Sequence, residues 1–218
     1  AVNRGVSAAT QNQALCALVF MFRYVLNIQF EGLTFGYAKT PKNLPTVLSA
    51  DEVATILSHL TGYSWLLTAL LYGCGLRLQE ALTLRIQNIN IETRSLFIFR
   101  GKGDKDRYTL LPKKLTQPLT AQIEEVRRLH TQDIQNGLGL TSVPASLHRK
   151  YQSVLKDFSW QYLFPSVTVT THPINGYICR HHRHATGYTK QLRQAVIKSR
   201  LNKRVTAHTF RHSFATNI

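Results

Sequence analysis

Apolar residues recur near the start of the chain at Leu15, Leu18, Val19, Phe22, Val25 and Leu26. Spacings of three and four place them on one stripe of a helix over 10–29. So strong a stripe needs a covering partner, and little chain precedes it, so part of a helical N-terminal domain is expected to lie outside this sequence. Positions 39–45 are basic and proline-stiffened and read as a linker. A second domain opens at Leu48-Ser49-Ala50-Asp51-Glu52-Val53. There Ser49 and Glu52 have the spacing of a reciprocal helix cap, and Leu48 can staple to Val53. Val53, Ile56, Leu57 and Leu60 continue the buried stripe. Positions 65–72 are almost wholly apolar, the mark of a central helix, and Gly73 and Gly75 then break it. Arg77 and Glu80, three apart, can share a face of the next short helix.

Two strands are read at 95–100 and 107–111, linked through Gly101-Lys102-Gly103-Asp104-Lys105-Asp106, whose glycines and aspartates suit a hairpin turn. Leu115, Leu119, Val126 and Leu129 mark another helix, and 136–144 a loop. A further helix runs around Tyr188, Leu192, Ala195, Val196 and Ser199, and a last one follows Thr206. The expected fold is mainly α with a small antiparallel β-sheet, divided into residues 1–43 and 44–218.

Charge sharpens this picture. The chain carries 27 Lys and Arg against 11 Asp and Glu, a net charge of +16. No acidic residue follows Asp157, whereas nine Lys or Arg lie from Arg180 to Arg211. Such a block reads as a nucleic-acid surface, against the alternative of a merely solvated basic face. Cys16, Cys74 and Cys179 are odd in number and widely spaced, which gives no disulfide framework or metal motif and suggests a reducing compartment, the cytoplasm. The apolar runs 15–22 and 65–72 are far shorter than the ~20 residues a membrane-spanning helix needs. No partnership with a membrane is expected.

The candidate chemistry lies in three short motifs. Arg77 stands in Gly75-Leu76-Arg77-Leu78-Gln79-Glu80, Lys102 in the hairpin turn, and His208 and Arg211 in His208-Thr209-Phe210-Arg211-His212. Guanidinium forks grip phosphate oxygens in pairs, which an ammonium cannot do. Two of them can stabilise the charge that builds on a phosphodiester under attack. A carboxylate such as Glu80 can hold them in place. No nucleotide-binding glycine loop or carboxylate metal cluster is present, so neither ATP nor Mg²⁺ is implied and no cofactor is expected.

Taken together, these motifs resemble the tyrosine recombinase (lambda-integrase-like) family, over most of the chain from about Ala9 onward. The resemblance implies a catalytic domain over 44–218 and, over 1–43, the end of a helical (SAM-like) core-binding domain with its linker. It implies that Arg77 and Arg211 hold the scissile phosphate, that Lys102 protonates the 5′ oxygen, with Lys105 nearby as the residue most easily confused with it, and that His208 accepts or relays the nucleophile's proton. The family then calls for a further His or Trp and a nucleophilic Tyr beyond the His-x-x-Arg box. Neither follows here, so the chain reads as an incomplete enzyme. Strand exchange in the family proceeds through a covalent phosphotyrosine within a homotetramer on DNA.

The strings at 147–151, 160–165 and 180–184 narrow the resemblance to the integron integrases, whose insert (here near 141–165) grips bases flipped out of a folded single-stranded site. By motif position Trp160, Pro173, His181 and His182 would contact such bases, with Arg180, Arg183 and Lys105 on the DNA as well. Residues 153–158 depart from the Asn-Ala-Gly-like turn usual in that group. Trp160, Tyr162 and Phe164 alternate, and pattern alone reads them equally as a core strand. His181, His182 and His184 could suggest zinc, but no cysteine or carboxylate pair stands at ligand spacing and adjacent arginines oppose a cation, so no metal is assigned. Two alternatives stand beside this reading: a non-catalytic DNA-binding remnant, and a phage- or Xer-like recombinase acting on duplex sites.

Overall fold

The computed structural model describes residues 5–28, 36–39, 44–99, 101, 105–143, 148 and 152–217. Lys102, most of the 39–45 linker and much of the 144–151 segment lie outside the described residues. The chain divides into two compact units, Ala1–Leu44 and Pro45–Ile218.

In the first unit, helix α1 spans Ala8–Phe20 and passes into a π-helical turn, Met21–Val25. Ser7 caps it by accepting from the Thr10 N–H at 3.3 Å. The Asn12 amide both donates to the Ala38 carbonyl and accepts from its N–H, at 2.9 and 2.8 Å. The expected apolar stripe exists as a helix, but no residue of α1 is buried.

The second unit is mostly helical with small antiparallel sheets. Helix α2 (Ala50–Ser58) carries the expected capping box: Glu52 accepts from the Ser49 N–H at 2.8 Å and Ser49 Oγ accepts from the Glu52 N–H at 3.2 Å. Helix α3 (Gly62–Gly73) is the centre of the core, with Leu67, Leu70 and Leu71 fully buried. Two polar groups share that burial and are paired, as buried hydroxyls must be. Thr68 Oγ1 donates to the Ser64 carbonyl at 2.8 Å and lies 2.9 Å from the hydroxyl of the fully buried Tyr188. Helices α4 (Leu78–Leu82), α5 (Lys113–Gln135), α6 (Ala185–Lys198) and α7 (Ala207–Thr216) pack around α3. Ser213 of α7 ties in the start of the unit, accepting from the Leu48 N–H at 2.8 Å.

Strands β1 (Ile89–Asn90), β2 (Ser95–Ile98) and β3 (Arg107–Leu110) form one sheet in that order, with Ile98 opposite Arg107. Both expected strands are present but shorter, and β1 was not expected. Strands β4 (Thr170–Thr171) and β5 (Ile178–Cys179) form a second hairpin. Residues 160–164 are not a strand. Trp160 ends a 3-10 turn and Tyr162 makes an isolated bridge to Arg85, while Phe164 is fully buried. The alternation there comes from single anchoring contacts rather than from a ladder. Helix α3 runs through Gly73 to its cap at Cys74, so the break belongs to Gly75, whose φ is +61°. A Cβ on Gly75 would lie 2.4 Å from the Phe214 ring.

Candidate phosphate-binding site

Two local features place Arg77. The left-handed Gly75 turns the chain out of α3, and Arg77 then caps the short helix α4. Its backbone N–H donates to Glu80 Oε2 at 2.8 Å and its Nη1 to Oε1 at 2.7 Å. The sheet brings in a second cation: Arg107, the first residue of β3, donates Nη1 to Oε1 at 3.0 Å and Nη2 to Oε2 at 2.6 Å. Helix α7 brings in a third. Arg211 Nη1 lies 3.9 Å from Oε2 and donates to the Gly75 carbonyl. The carboxylate side chain is 9% exposed, whereas the three guanidinium side chains are 30–32% exposed. The acid is hidden while its cations face water, leaving a surface of net charge +2.

Burial alone would raise the Glu80 carboxyl, but the hydrogen bonds from Arg107 and from the backbone and side chain of Arg77 outweigh it and hold the group at about 2. Burial, and then the neighbouring Arg77, lower the Arg211 guanidinium from its ordinary value. It remains a cation at any physiological pH. Arg77, Glu80 and His208 line a cavity of 870 Å³ together with Arg85, Trp160 and Tyr162. Arg211 is not in that lining and joins the group through Glu80 and Gly75. His208 is exposed on the first turn of α7.

Of the sequence-predicted residues, the structure thus gathers Arg77, Glu80, His208 and Arg211. Lys105 is exposed beside them, its carbonyl accepting from the Gly101 N–H at 3.0 Å. The aromatic and histidine candidates form a second cluster around Arg85. Its guanidinium donates to the Ser142 carbonyl at 2.8 Å, the Tyr162 hydroxyl at 3.0 Å and the Trp160 carbonyl, and lies 4.2 Å over the Tyr162 ring. His181 stacks on Tyr162 at 5.5 Å, and His182 meets the same ring edge-on. Burial, then the neighbouring His182 and Arg85, push the His181 imidazole down to about 4. Pro173 is exposed at the turn between β4 and β5, and Arg183 lies 4.1 Å over the Tyr63 ring. Among the described residues no three His, Cys, Asp or Glu side chains are placed to share a metal ion, and no helix is long and apolar enough to cross a membrane.

One expected DNA contact must be corrected. Arg180 is buried, gripping Asp133 of α5 through two bonds of 2.6 Å and donating Nη1 to the Ser166 and Val167 carbonyls. Four of its five N–H donors are used inside the protein, so with Asp133 it forms a structural ion pair. Arg107 and Arg85 were missed by sequence reasoning. A carboxylate expected to hold guanidinium groups was a signal for Arg107, two residues beyond Lys105; for Arg85 there was none.

These features have relatives. The model of the phage integrase family matches residues 46–218. An integrase/recombinase from Escherichia coli is 36% identical over 216 residues, which are 99% of this chain and 64% of that protein. The tyrosine recombinase XerD from Staphylococcus aureus is 29% identical over 187 residues, 83% of this chain and 51% of that one. The chain therefore spans between half and two thirds of the curated relatives it matches. Among solved structures, the XerH site-specific recombinase bound to palindromic difH substrate shares 22% identity at a TM-score of 0.61, covering 99% of this chain and 55% of that one. The Tn1549 transposon integrase in complex with circular intermediate DNA shares 18% at 0.61, over 99% and 68%. At these identities the likeness to solved structures is one of fold. With a family match that takes in the whole arginine hub from Arg77 to Arg211, the chain belongs to the phage integrase family.

Proposed function

We propose that the unit Pro45–Ile218 grips a DNA phosphodiester and that the protein cuts and rejoins DNA strands at specific sites. One observation carries the reading: three partly exposed guanidinium groups converge on one shielded carboxylate. A phosphodiester attacked by an oxygen gathers negative charge on its non-bridging oxygens, and forks fixed in advance stabilise that charge at no reorganisation cost. In this reading Arg77 and Arg211 hold those oxygens. Lys102 gives its proton to the departing 5′ oxygen, and His208 takes the nucleophile's proton. The attacking hydroxyl is assigned to none of the nine tyrosines of this chain. The ester broken in DNA is replaced by a 3′-phosphotyrosine ester, so strand rejoining needs no external energy source. Relatives named integrase/recombinase and tyrosine recombinase support the assignment.

At a finer level we read the substrate as the folded single-stranded site of an integron integrase and the outcome as insertion or excision of gene cassettes, by a homotetramer on DNA. Support comes from the strings at 160–165 and 180–184 and from the grouping of Trp160, Tyr162, His181 and His182 around Arg85. Rings and imidazoles stack on bases of any identity.

Fluorescence anisotropy with a labelled hairpin bearing unpaired bases, and with a linear duplex of the same stem, tests both levels. Affinity should fall steeply with salt, as phosphate contacts release counterions, and Arg77→Ala and Arg211→Ala should each weaken binding about tenfold. Equal affinity for hairpin and duplex would favour a recombinase of duplex sites. Unchanged binding by both variants would remove the phosphate assignment altogether.

A further inference from the structure

Glu80 has two oxygens and, among the described residues, three arginine neighbours. Oε1 accepts from Arg77 Nη1 and Arg107 Nη1, at 2.7 and 3.0 Å; Oε2 accepts from the Arg77 N–H and Arg107 Nη2, at 2.8 and 2.6 Å. Each oxygen thus holds two charge-assisted bonds, matching its two lone pairs. Arg211 stays at 3.9 Å, beyond hydrogen-bonding distance, and turns Nη1 to the Gly75 carbonyl. We propose that Arg107 is a positioning residue: by saturating Glu80 it keeps the carboxylate from capturing Arg211, whose guanidinium remains available to an incoming phosphate. This rests on the phosphodiester reading above and adds the residue that decides which arginine is free.

The fold holds Arg107 to this task. It opens β3 opposite Ile98 of β2, so the sheet fixes its backbone. A Cβ on Gly101 would lie 2.7 Å from Arg107 Nη1 and 3.2 Å from Glu80 Oε1, so glycine there leaves the fork its room. Without Arg107, both carboxylate oxygens lose a partner in a spot too shielded for water to replace it fully. Among the described residues, the further cation within ion-pair range of Glu80 is Arg211. An ion pair formed there competes directly with the phosphate for the same fork, because Coulomb attraction strengthens as the carboxylate is shielded from water. Lysine at 107 does not solve the problem, since one ammonium cannot span both oxygens.

The test is binding of dimethyl phosphate, a minimal phosphodiester, followed by its ³¹P resonance as it is titrated with the full 218-residue chain. Wild type is compared with Arg107→Lys, Arg107→Gln, Arg211→Gln and the double variant Glu80→Gln/Arg107→Gln, with thermal melts confirming that each is folded. Arg107→Gln and Arg107→Lys should each lose about tenfold in affinity, the worth of one charge-assisted fork. The double variant should recover most of it, because an amide carries no charge to capture Arg211. Should Arg107→Gln prove unstable, the double variant and Arg107→Lys still decide the matter. Wild-type affinity in Arg107→Lys would mean that charge alone counts and would overturn the proposal. So would a double variant as weak as Arg107→Gln. If instead wild type does not bind the probe, or Arg211→Gln binds it undiminished, the phosphodiester reading itself fails and this proposal with it. Loss in Arg211→Gln with no effect at 107 leaves that reading standing and removes only Arg107.

Discussion

Replacing Asp133 by Ala isolates a buried arginine and offers a sharp stability test. Asp133 sits in the last turn of α5, where the helix dipole disfavours an anion. It is tolerated there because Arg180 grips both of its oxygens at 2.6 Å. The two side chains are 7% and 10% exposed, so neither charge has water to fall back on. Removing the carboxylate leaves the Arg180 guanidinium, among the described residues, with the Ser166 and Val167 carbonyls. Breaking one side of such a pair costs about 3–5 kcal/mol, whereas exchanging both partners for apolar residues of similar volume is often neutral. Against a typical total of about 5–15 kcal/mol, the single loss is large. Urea unfolding followed by the fluorescence of Trp65 and Trp160 measures it as a fall in the transition midpoint at constant slope. Asp133→Leu/Arg180→Met should unfold close to wild type. A single Asp133→Ala variant within about 1 kcal/mol of wild type would refute the reasoning, since that is the value of a solvated pair.

Two further outcomes follow from the site. The His181 imidazole, held at about 4 against 6.5 when free, favours the neutral form in the fold. Stability should therefore be complete above pH ~6.5 and decline as pH falls toward 4. With half of the group still solvated, the loss is about 1–2 kcal/mol, readable as falling melting temperatures from pH 7.5 to 4.5. A flat profile there would contradict the burial of the ring; His182, lowered mainly by burial, adds to the same decline, and Glu80, held at about 2 against 4.5 when free, contributes only at the acid end of the window. Gly75→Ala forces a left-handed alanine against the Phe214 ring and moves the carbonyl that accepts from Arg211. It should destabilise the unit by about 1–3 kcal/mol and weaken DNA binding in the same anisotropy assay; wild-type melting and binding would show that the turn is not needed.

Local features were legible in the sequence and tertiary ones were not. The Ser49–Glu52 cap and the Arg77–Glu80 contact each join residues three apart, so spacing alone revealed them. The burial of α3 was equally plain, because no polar side was left to face water. Arg107 reaches Glu80 across 27 positions through a sheet register that periodicity does not encode. Arg180 was misread because it stands in a basic run, and only an acid 47 positions earlier reveals that it turns inward. Strand β1, two residues long, is too short to leave a pattern. The alternation at Trp160, Tyr162 and Phe164 was real but had a different cause, the bridge from Tyr162 to Arg85 and the burial of Phe164. The hairpin lysine, Lys102, lies outside the described residues, so its assignment rests on the motif alone.

The absence of acids after Asp157 gives the molecule a direction in time. Among the described residues, cations of the last third reach backwards to their acids: Arg180 and Lys203 pair with Asp133 and Glu52 at 2.6 and 2.8 Å, and Arg211 stands 3.9 Å from Glu80. A ribosome makes the N-terminal side first, so each of these three cations emerges after its acid has been synthesised. Read in the opposite order, or expressed by itself, the same stretch is a polycation with no internal anion to settle on. Its natural counterion is then whatever nucleic acid lies nearest.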